Sequence, residues 1–192
     1  MRIGVLALQG AFAEHIAVLH SLKVDTTPVR LPHQLEGLDG LVIPGGESTS
    51  ITRLMTSYEL MGKIGNLAEN GLSIFGTCAG MIVLAKQIAD TAEQFLGLMD
   101  IRVRRNAFGR QRESFETELS VPVLGEEPFP GVFIRAPSIE QANSNVEITA
   151  RLTDGTIVAA RQGKLLVCAF HPELTDDLRF HRYFLNIVSG EQ

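Results

Sequence analysis

The chain has few cysteines: Cys78 and Cys168 are the two among its 192 residues. Two thiols so far apart do not suggest a disulfide framework, so we expect a reducing, cytoplasmic setting. No apolar run approaches the length of a membrane span, which argues against a membrane partner. The first apolar run begins at once and includes Gly4 and Gln9, which is typical of a first strand and not of a signal peptide. Basic residues do not dominate either, since the net charge of −5 argues against a general nucleic-acid-binding protein.

The composition is that of an ordinary globular protein, with 45% apolar and 20% charged residues. We expect residues 1–192 to form one domain with a sizeable core. Apolar runs alternate with helical patterns as far as Lys86, which predicts an α/β fold with a parallel sheet and helices on both faces. The strands are expected at Arg2–Leu8, Val24–Val29, Leu38–Ile43 and Leu72–Phe75, and helices at Ala11–Leu22 and after Ser48.

The pattern changes after Gly97, where short runs are separated by Gly, Pro, Asn or Asp. These runs predict antiparallel strands that extend or cover the first sheet. They are Ile101–Arg104, Phe115–Val121, Gly131–Ile134, Val146–Leu152, Ile157–Ala160 and Leu165–Phe170. A closing amphipathic helix is expected at Asp176–Val188.

The stretch from Gly71 to Lys86 carries the strongest chemical signal. An apolar strand runs into G-T-C-A-G, and a second apolar run follows at helical spacing. Strand, tight turn of small residues and helix match a nucleophile elbow with Cys78 in the nucleophile position. The start of a helix favours a thiolate, and the N–H of Ala79 would form half of an oxyanion hole. The alternative is a buried structural cysteine beside glycines that allow helix packing.

A second loop of small residues follows the strand Leu38–Ile43 as P-G-G-E-S-T-S. Glycines at a strand end let the backbone approach a ligand closely. Ser48, Thr49 or Ser50 could cap the next helix, and a plain turn is the alternative. A phosphate-binding loop is disfavoured because the Lys-Ser/Thr ending is absent. Parallel sheets place their sites at the carboxyl ends of strands, so this loop and the Cys78 elbow are expected to face one crevice.

The segment H-P-E after Leu165–Phe170 supplies a candidate base. Pro172 biases His171 toward extended geometry, and in an extended segment residues two apart point the same way. Glu173 could then orient the His171 ring while the other ring nitrogen faces Cys78. Nucleophile, base and orienting carboxylate would form a triad.

The remaining reactive side chains have less context. His15 and His20 are expected to be surface or packing residues, because no ligand cluster surrounds them. His33 and His181 lack a comparable setting, and Cys168 is predicted to be a core residue. A short basic cluster is interpreted as a solvated face from which one arginine could bind a substrate carboxylate; its members are Arg102, Arg104, Arg105, Arg110 and Arg112.

These motifs resemble a known family. G-T-C-A-G, H-P-E and P-G-G-E-S are similar to class I glutamine amidotransferases. More narrowly, V-L-A-L-Q-G, F-G-T-C-A-G-M-I-V-L-A-K, R-N-A-F-G-R-Q, G-V-F-I-R-A-P and F-H-P-E-L-T resemble the glutaminase subunits of pyridoxal phosphate synthases. The resemblance extends from Val5 to Thr175 and implies a three-layer, flavodoxin-like fold with a mostly parallel sheet and an antiparallel extension.

The resemblance implies hydrolysis of L-glutamine to glutamate and ammonia by Cys78, His171 and Glu173, with no cofactor and no metal. It implies an oxyanion hole formed by the backbone N–H groups of Gly46 and Ala79. It also implies a glutamine pocket lined by Gly46, Glu47, Ser48, Arg105, Ile134 and Arg135. The implied partner is a barrel-shaped synthase subunit that uses the ammonia to build pyridoxal 5'-phosphate within a large hetero-oligomer.

Three alternatives remain open from the sequence. The chain could feed another synthase, such as one for histidine, anthranilate or a nucleotide. It could be a stand-alone γ-glutamyl hydrolase, or a binding protein with Cys78 as a redox sensor, although H-P-E argues against a sensor. We also hypothesise that the synthase completes the oxyanion hole through Gly45-Gly46 and Gln9-Gly10, which would leave the isolated chain slow.

Overall fold

The computed structural model describes residues 1–89, 91, 95–109 and 113–191. Of the predicted basic cluster, Arg110 and Arg112 lie outside these residues. The strands are β1 Arg2–Leu6, β2 Asp25–Val29, β3 Gly40–Ile43, β4 Ser73–Thr77, β5 Ala85–Ile88, β6 Met99–Arg104, β7 Ser114–Leu119, β8 Phe129–Ile134, β9 Ser138–Ala142, β10 Glu147–Arg151, β11 Ile157–Gln162 and β12 Leu165–Cys168. The helices are α1 Phe12–Ser21, α2 Ser48–Ser57, α3 Leu60–Glu69, α4 Ala79–Leu84 and α5 Arg179–Ser189.

The central sheet is parallel in the order β2-β1-β3-β4-β12. Beyond β12 it continues as β11-β9-β6-β5, in which β11 is antiparallel to both β12 and β9, and β9 is antiparallel to β6. Strands β7 and β8 form a separate antiparallel pair. The predicted parallel sheet with an antiparallel extension is therefore confirmed.

Helices cover both faces of this sheet, as predicted. Successive side chains of a strand point to opposite faces, and β4 presents Phe75 to one face and Gly76 to the other. The Phe75 ring packs against Phe180 and Phe184 of α5, with ring centroids 5.8 and 5.5 Å apart. On the opposite face α4 lies so close to β4 that a Cβ on Gly76 would come within 2.8 Å of Leu84.

Two predictions about single elements are wrong. The run Leu165–Phe170 was expected to be antiparallel, but β12 pairs in parallel with β4 and antiparallel only with β11. The helix expected through Lys86 ends at Leu84, and the chain continues directly into β5. None of the helices in the described ranges combines the length and the hydropathy that a transmembrane span needs.

Candidate functional site

Cys78 sits in a strained turn between β4 and α4. Its backbone has φ +49° and ψ −104°, a conformation that L-residues other than glycine rarely adopt. The Cys78 N–H donates to the Cys168 carbonyl at 2.8 Å, which anchors the turn between β4 and β12. Close packing requires Gly80 next to it, because an added Cβ would collide with the Ile43 carbonyl. The local geometry is that of the predicted elbow, and Cys78 is 7% exposed.

His171 and Glu173 lie at the end of β12, beside this turn. His171 Nδ1 lies 2.7 Å from Glu173 Oε1, and the Glu173 side chain is fully buried. The expected extended path is only partly correct, since His171 has φ −108° but Pro172 to Leu174 form a 3₁₀ turn. The carboxylate therefore reaches the ring across a tight turn. The β8 strand supports this end, because the His171 N–H donates to the Val132 carbonyl at 2.8 Å.

The ring of His171 is held between two acceptors. Burial lowers the pKa of His171, but hydrogen bonds to Cys78 and Glu173, and the charges of both, outweigh it and raise the pKa to about 10. Burial alone would raise the pKa of Glu173, but His15 and His171 reverse this and lower it. The three side chains are thus electrostatically coupled, with Glu173 ionised.

The glycine loop after β3 passes directly against this pair. A Cβ on Gly45 would collide with the His171 ring and would lie 3.2 Å from Cβ of Cys78. The Gly45 carbonyl accepts from the Ala11 N–H at 3.0 Å, and the Gly45 N–H donates to Thr77 Oγ1 at 3.1 Å. Only glycine therefore allows this approach.

The helix cap after this loop differs from the prediction. Ser48, Thr49 and Ser50 were the expected capping residues, but Glu47 is the N-cap of α2. Its carboxylate accepts from the N–H groups of Thr49 at 3.0 Å and Ser50 at 2.7 Å. The Glu47 N–H in turn donates to Gln9 Oε1 at 2.7 Å, so the capping residue is also tied to the segment after β1. A hydrogen bond with the Ser50 side chain, and then those with the Thr49 and Ser50 N–H groups, lower the pKa of Glu47.

One cavity of about 310 Å³ collects nearly all the predicted site residues. It is lined by Gln9, Gly46, Glu47, Ser48, Cys78, Ala79, Ile82, Arg105, Asn106, Ile134, Arg135 and His171. Glu173 lies behind His171 and does not reach the cavity wall. A larger and more open groove of about 770 Å³ lies along β8 and the start of α5, away from Cys78.

Three lining residues were not predicted as pocket residues: Gln9, Ile82 and Asn106. Gln9 stands inside V-L-A-L-Q-G, directly after a predicted strand, so its position at a strand end was the available signal. Ile82 belongs to the apolar face of α4, which is indistinguishable in sequence from core. Asn106 adopts φ +47°, a left-handed conformation that asparagine tolerates.

The far wall of the cavity comes from the end of β8, in the separate β7–β8 pair, and from the segment that follows β6. The Ile134 carbonyl lies 3.9 Å from Cys78 Sγ, and Arg135 follows in a left-handed conformation with φ +43°. The Arg105 guanidinium lies over the Phe95 ring, 5.4 Å from its centroid. Arg102 and Arg104, by contrast, both contact Glu140, so the described part of the basic cluster divides between this cavity and an ion-paired surface.

The remaining cysteine and histidine side chains differ in how deeply they are buried. Cys168 is a fully buried core residue with a free thiol, as predicted, and burial raises its pKa. His20 and His33 are exposed, whereas His15 and His181 are completely buried. Among the described residues no group of three or more His, Cys, Asp or Glu side chains is arranged to hold a metal ion.

Comparison with known proteins gives consistent results. The family model of the SNO glutamine amidotransferases matches residues 5–189. Pyridoxal 5'-phosphate synthase subunit PdxT of Herpetosiphon aurantiacus is 59% identical, with 97% of this chain and 100% of that protein covered. PdxT of Thermotoga maritima is 50% identical, with 98% and 100% covered.

Solved structures agree in fold. A crystal structure of a glutamine amidotransferase superposes with a TM-score of 0.92 at 49% identity, covering 97% of this chain and 98% of that one. The structure of PurLQS from Thermotoga maritima has a TM-score of 0.71 at 16% identity, covering 96% and 97%, which shows the shared fold alone. The match over residues 5–189 and the near full-length relatives establish that this chain belongs to the SNO glutamine amidotransferase family.

Proposed function

We propose that residues 1–192 act as a single glutaminase domain that hydrolyses L-glutamine to glutamate and ammonia for pyridoxal 5'-phosphate synthesis. The observation that carries this proposal is the meeting of Cys78, His171 and the loop of Gly46 in one cavity. A strained cysteine beside a histidine held by a buried carboxylate is the arrangement that nucleophilic acyl transfer requires.

The proposed reaction proceeds through a thioester. Cys78 Sγ attacks the side-chain amide carbon of glutamine, and the C–N bond breaks as the His171 imidazolium gives its proton to the leaving nitrogen. Ammonia departs and a glutamyl thioester remains. His171 then takes a proton from water, whose oxygen attacks the thioester carbon and releases glutamate and the thiolate. Glu173 keeps Nδ1 of the ring protonated, so that Nε2 handles the proton in both steps.

The negative charge that develops on the amide oxygen during the attack must be stabilised by hydrogen-bond donors. We assign this role to the backbone N–H groups of Ala79, at the start of α4, and of Gly46, on the facing loop. Both residues line the cavity with Cys78. The hypothesis that the synthase completes this oxyanion hole fits the hydrogen bonds that tie the Gly45–Glu47 loop to Gln9 and Ala11, because moving one segment must move the other.

Recognition of glutamine requires partners for its α-carboxylate and its α-ammonium group. Arg105 and Arg135 are the two arginines among the described lining residues, and a guanidinium binds a carboxylate with two parallel hydrogen bonds. Ile134, Glu47 and Ser48 complete the predicted pocket. The Glu47 carboxylate caps α2, so we propose that Glu47 contributes its backbone and the position of the loop.

The acceptor of the ammonia is proposed from the relatives, which are named as subunits of pyridoxal 5'-phosphate synthase. Ammonia released into water at neutral pH becomes ammonium and diffuses away, so a donor subunit should dock on its acceptor. We propose that this partner is a barrel-shaped synthase subunit, within a large hetero-oligomer. We place the complex in the cytoplasm, where reducing conditions preserve the Cys78 thiol.

The first test is glutamate release from L-glutamine, with and without the cognate synthase subunit. Wild type is compared with Cys78→Ala and with Cys168→Ala, a matched control that removes the buried second thiol. We expect activity that the synthase stimulates, a loss of more than about a thousandfold in Cys78→Ala, and retention in Cys168→Ala.

Activity that does not respond to the synthase would contradict the partner and indicate another acceptor or a stand-alone γ-glutamyl hydrolase. Full activity in Cys78→Ala would contradict the nucleophile. No glutamate from wild type in any mixture would overturn the proposed reaction.

A further inference from the structure

Behind the Cys78–His171 pair a second set of polar side chains is buried between α1, α5 and the sheet. His15 Nδ1 lies 2.9 Å from His181 Nε2, and both side chains have no exposed surface. The other nitrogen of His15, Nε2, lies 3.1 Å from Thr77 Oγ1 and 3.3 Å from Glu173 Oε2. The chemistry proposed above uses neither histidine. Burying two polar imidazole rings costs free energy unless their nitrogens are hydrogen-bonded. Their position beside Glu173 therefore calls for a functional explanation.

The Glu173 carboxylate is the first of the two groups that His15 Nε2 contacts. Oε1 is bound to His171, and among the described residues no side chain makes a well-aligned hydrogen bond to Oε2. The group that faces Oε2 is His15 Nε2. An unprotonated Nε2 would place its lone pair 3.3 Å from a carboxylate oxygen, which is repulsive. We therefore assign the proton to Nε2, where its positive end stabilises the carboxylate.

His181 completes this assignment. With the proton on Nε2, His15 Nδ1 is an acceptor, and the His181 Nε2–H donates to it at 2.9 Å. Burial lowers the pKa of both histidines, that of His181 to about 3, which favours the neutral form of each ring. Hydrogen-bond partners placed behind a functional side chain in this way fix its tautomer and its orientation.

The Thr77 hydroxyl is the second group that His15 Nε2 contacts. Its hydroxyl oxygen contacts His15 Nε2 and also accepts from the Gly45 N–H at 3.1 Å. Thr77 immediately precedes the proposed nucleophile, and Gly45 immediately precedes the proposed oxyanion donor Gly46. One imidazole nitrogen of His15 therefore contacts both the carboxylate that orients the base and the side chain that holds the oxyanion loop.

We propose that His15 is a positioning residue that, through its Nε2–H, aligns Glu173 and the Thr77–Gly45 contact with Cys78. This inference rests on the proposed function, because it assumes that His171 and Cys78 do the chemistry. His15 itself does not touch substrate. It acts through Glu173 on the base and through Thr77 on the oxyanion loop, so both the proton transfer and the charge stabilisation depend on it.

A purely structural role makes a different prediction. His15 packs edge-on against Phe75, with ring centroids 6.2 Å apart, so an apolar side chain could fill much of the same space. If packing were the only function of His15, any loss of activity in His15→Leu would be explained by its loss of folding stability. If the N–H matters, His15→Gln should perform better than His15→Leu, because glutamine keeps a donor. Thr77→Val removes the hydroxyl group and keeps nearly the same side-chain shape. It is the alternative test variant if His15→Leu does not fold.

The experiment has two readouts. The first is alkylation of Cys78 by iodoacetamide in the isolated chain, followed by mass spectrometry, which needs neither glutamine nor the synthase. The second is kcat and KM for glutamine with the synthase present. His20→Gln is the matched control, since His20 lies on the same helix but is exposed.

We expect His15→Leu and Thr77→Val to lower kcat by about 10- to 100-fold with a smaller change in KM. We expect His15→Leu to slow Cys78 alkylation, His15→Gln to recover part of both losses, and His20→Gln to match wild type. Wild-type kcat and alkylation in His15→Leu would overturn the proposal, as would losses in His15→Leu and His15→Gln that follow melting temperature alone. If wild type releases no glutamate while alkylation still ranks the variants as expected, the proposed function fails and the positioning role stands.

Discussion

The basicity of His171 depends on charges that single substitutions can remove. Its pKa is raised to about 10, against the effect of burial, by Cys78 and Glu173. A carboxylate beside an imidazolium favours the protonated ring, so removing the carboxylate must lower the pKa. In the proposed mechanism the protonated ring gives its proton to the amide nitrogen, which then leaves as ammonia. The activity of wild type should therefore persist to alkaline pH. Without Glu173, the loss of activity on raising the pH should begin at a lower pH than in wild type.

The corresponding prediction concerns Glu173→Gln, which keeps the shape but not the charge. We expect the His171 ring to titrate near pH 10 in wild type and at clearly lower pH in the variant. The measurement is a nuclear magnetic resonance titration of protein with ¹⁵N-labelled histidine, with circular dichroism to verify folding at each pH. Glu69→Gln, an exposed change on α3, is the control. An unchanged titration in Glu173→Gln would contradict the coupling.

At the residue scale the sequence predicted what is local. Cys78 stands in a five-residue motif, and His171 and Glu173 are two positions apart, so short spacing carried the information. His15 and His181 are 166 positions apart and meet only because α1 and α5 pack on one face of the sheet. No motif or spacing connects these two histidines. The cap at Glu47 was missed because the short hydroxyl side chains of its neighbours are the usual capping groups.

Helix α3 carries a prediction of its own. Gly62 and Gly65 lie inside it, and apart from the backbone of α3 and the adjacent residues, an added Cβ would meet no atom within 4 Å at either position. Glycine in a helix interior costs about 0.5–1 kcal/mol relative to alanine. We expect Gly62→Ala and Gly65→Ala each to raise the free energy of unfolding by about that amount, measured by urea denaturation. Gly80→Ala is the opposite control, because its Cβ would collide with the Ile43 carbonyl and should destabilise. Destabilisation by Gly62→Ala would show that the helix is not built as described.

Asp100 connects the strands of the extension. Its carboxylate accepts from Lys86 of β5, and from Asn145 and Gln162 at 2.7 Å each. These hydrogen bonds, first that with Lys86, hold the pKa of Asp100 at about 2, below its ordinary 3.8. A depressed carboxyl pKa contributes stability above about pH 4, and that contribution disappears as the pH falls toward 2.

Asp100→Asn should therefore lower the melting temperature at pH 7 by roughly 2–4 °C, as expected for a partly exposed ion pair in a domain of this size. The difference from wild type should shrink as the pH decreases from about 4 to about 2, measured by calorimetry. Asp25→Asn, at the exposed start of β2, is the comparison. A difference that stays constant over this pH range would mean that the carboxylate charge is not what stabilises this edge.

Elements were predictable where their pattern was clean. The buried strands β1, β3 and β4 are mostly apolar runs, and α1 and α5 have clear helical spacing. Strand β5 was hidden because apolar residues continue without a break from α4 into Ala85, and no Gly or Pro marks the change. Helix α3 was not predicted, since two glycines weaken its helical signal. The direction of β12 was wrong because pairing partners are set by topology, which a run of apolar residues does not encode.

At the scale of the whole molecule, the parallel half of the sheet explains the site. Strands β1, β3, β4 and β12 end at one edge, and the segments that follow them carry Gln9, Gly46, Cys78 and His171. Parallel sheets collect ligands at this edge. The alternation of strands and helices up to Lys86 was enough to predict that the segments after β3 and β4 share this edge, but it did not place β12 there. The far wall, with Ile134 and Arg135, lies at the end of β8 in the separate antiparallel pair and was placed in the pocket only by resemblance.

The last prediction concerns the route of the nitrogen. If this chain docks on its synthase and delivers ammonia directly, the amide nitrogen of glutamine should reach the product ahead of ammonium in solution. The cognate complex is supplied with glutamine labelled with ¹⁵N at the amide and with an equal concentration of unlabelled ammonium. We expect mostly ¹⁵N in the pyridoxal 5'-phosphate, measured by mass spectrometry, because the transferred molecule never mixes with the solvent pool.

The Cys78→Ala complex provides the control for this competition. It cannot release the labelled nitrogen, so its product should contain only unlabelled nitrogen from ammonium, which also shows that its synthase is competent. A wild-type product whose label equals that of the free ammonium pool at each time point would mean that ammonia escapes before it is used. Glutamine hydrolysis by Cys78 would then remain correct, but the docked transfer would be wrong. The two halves of the proposal are thereby separated, since hydrolysis depends on the residues at the strand ends and transfer depends on the surface around them.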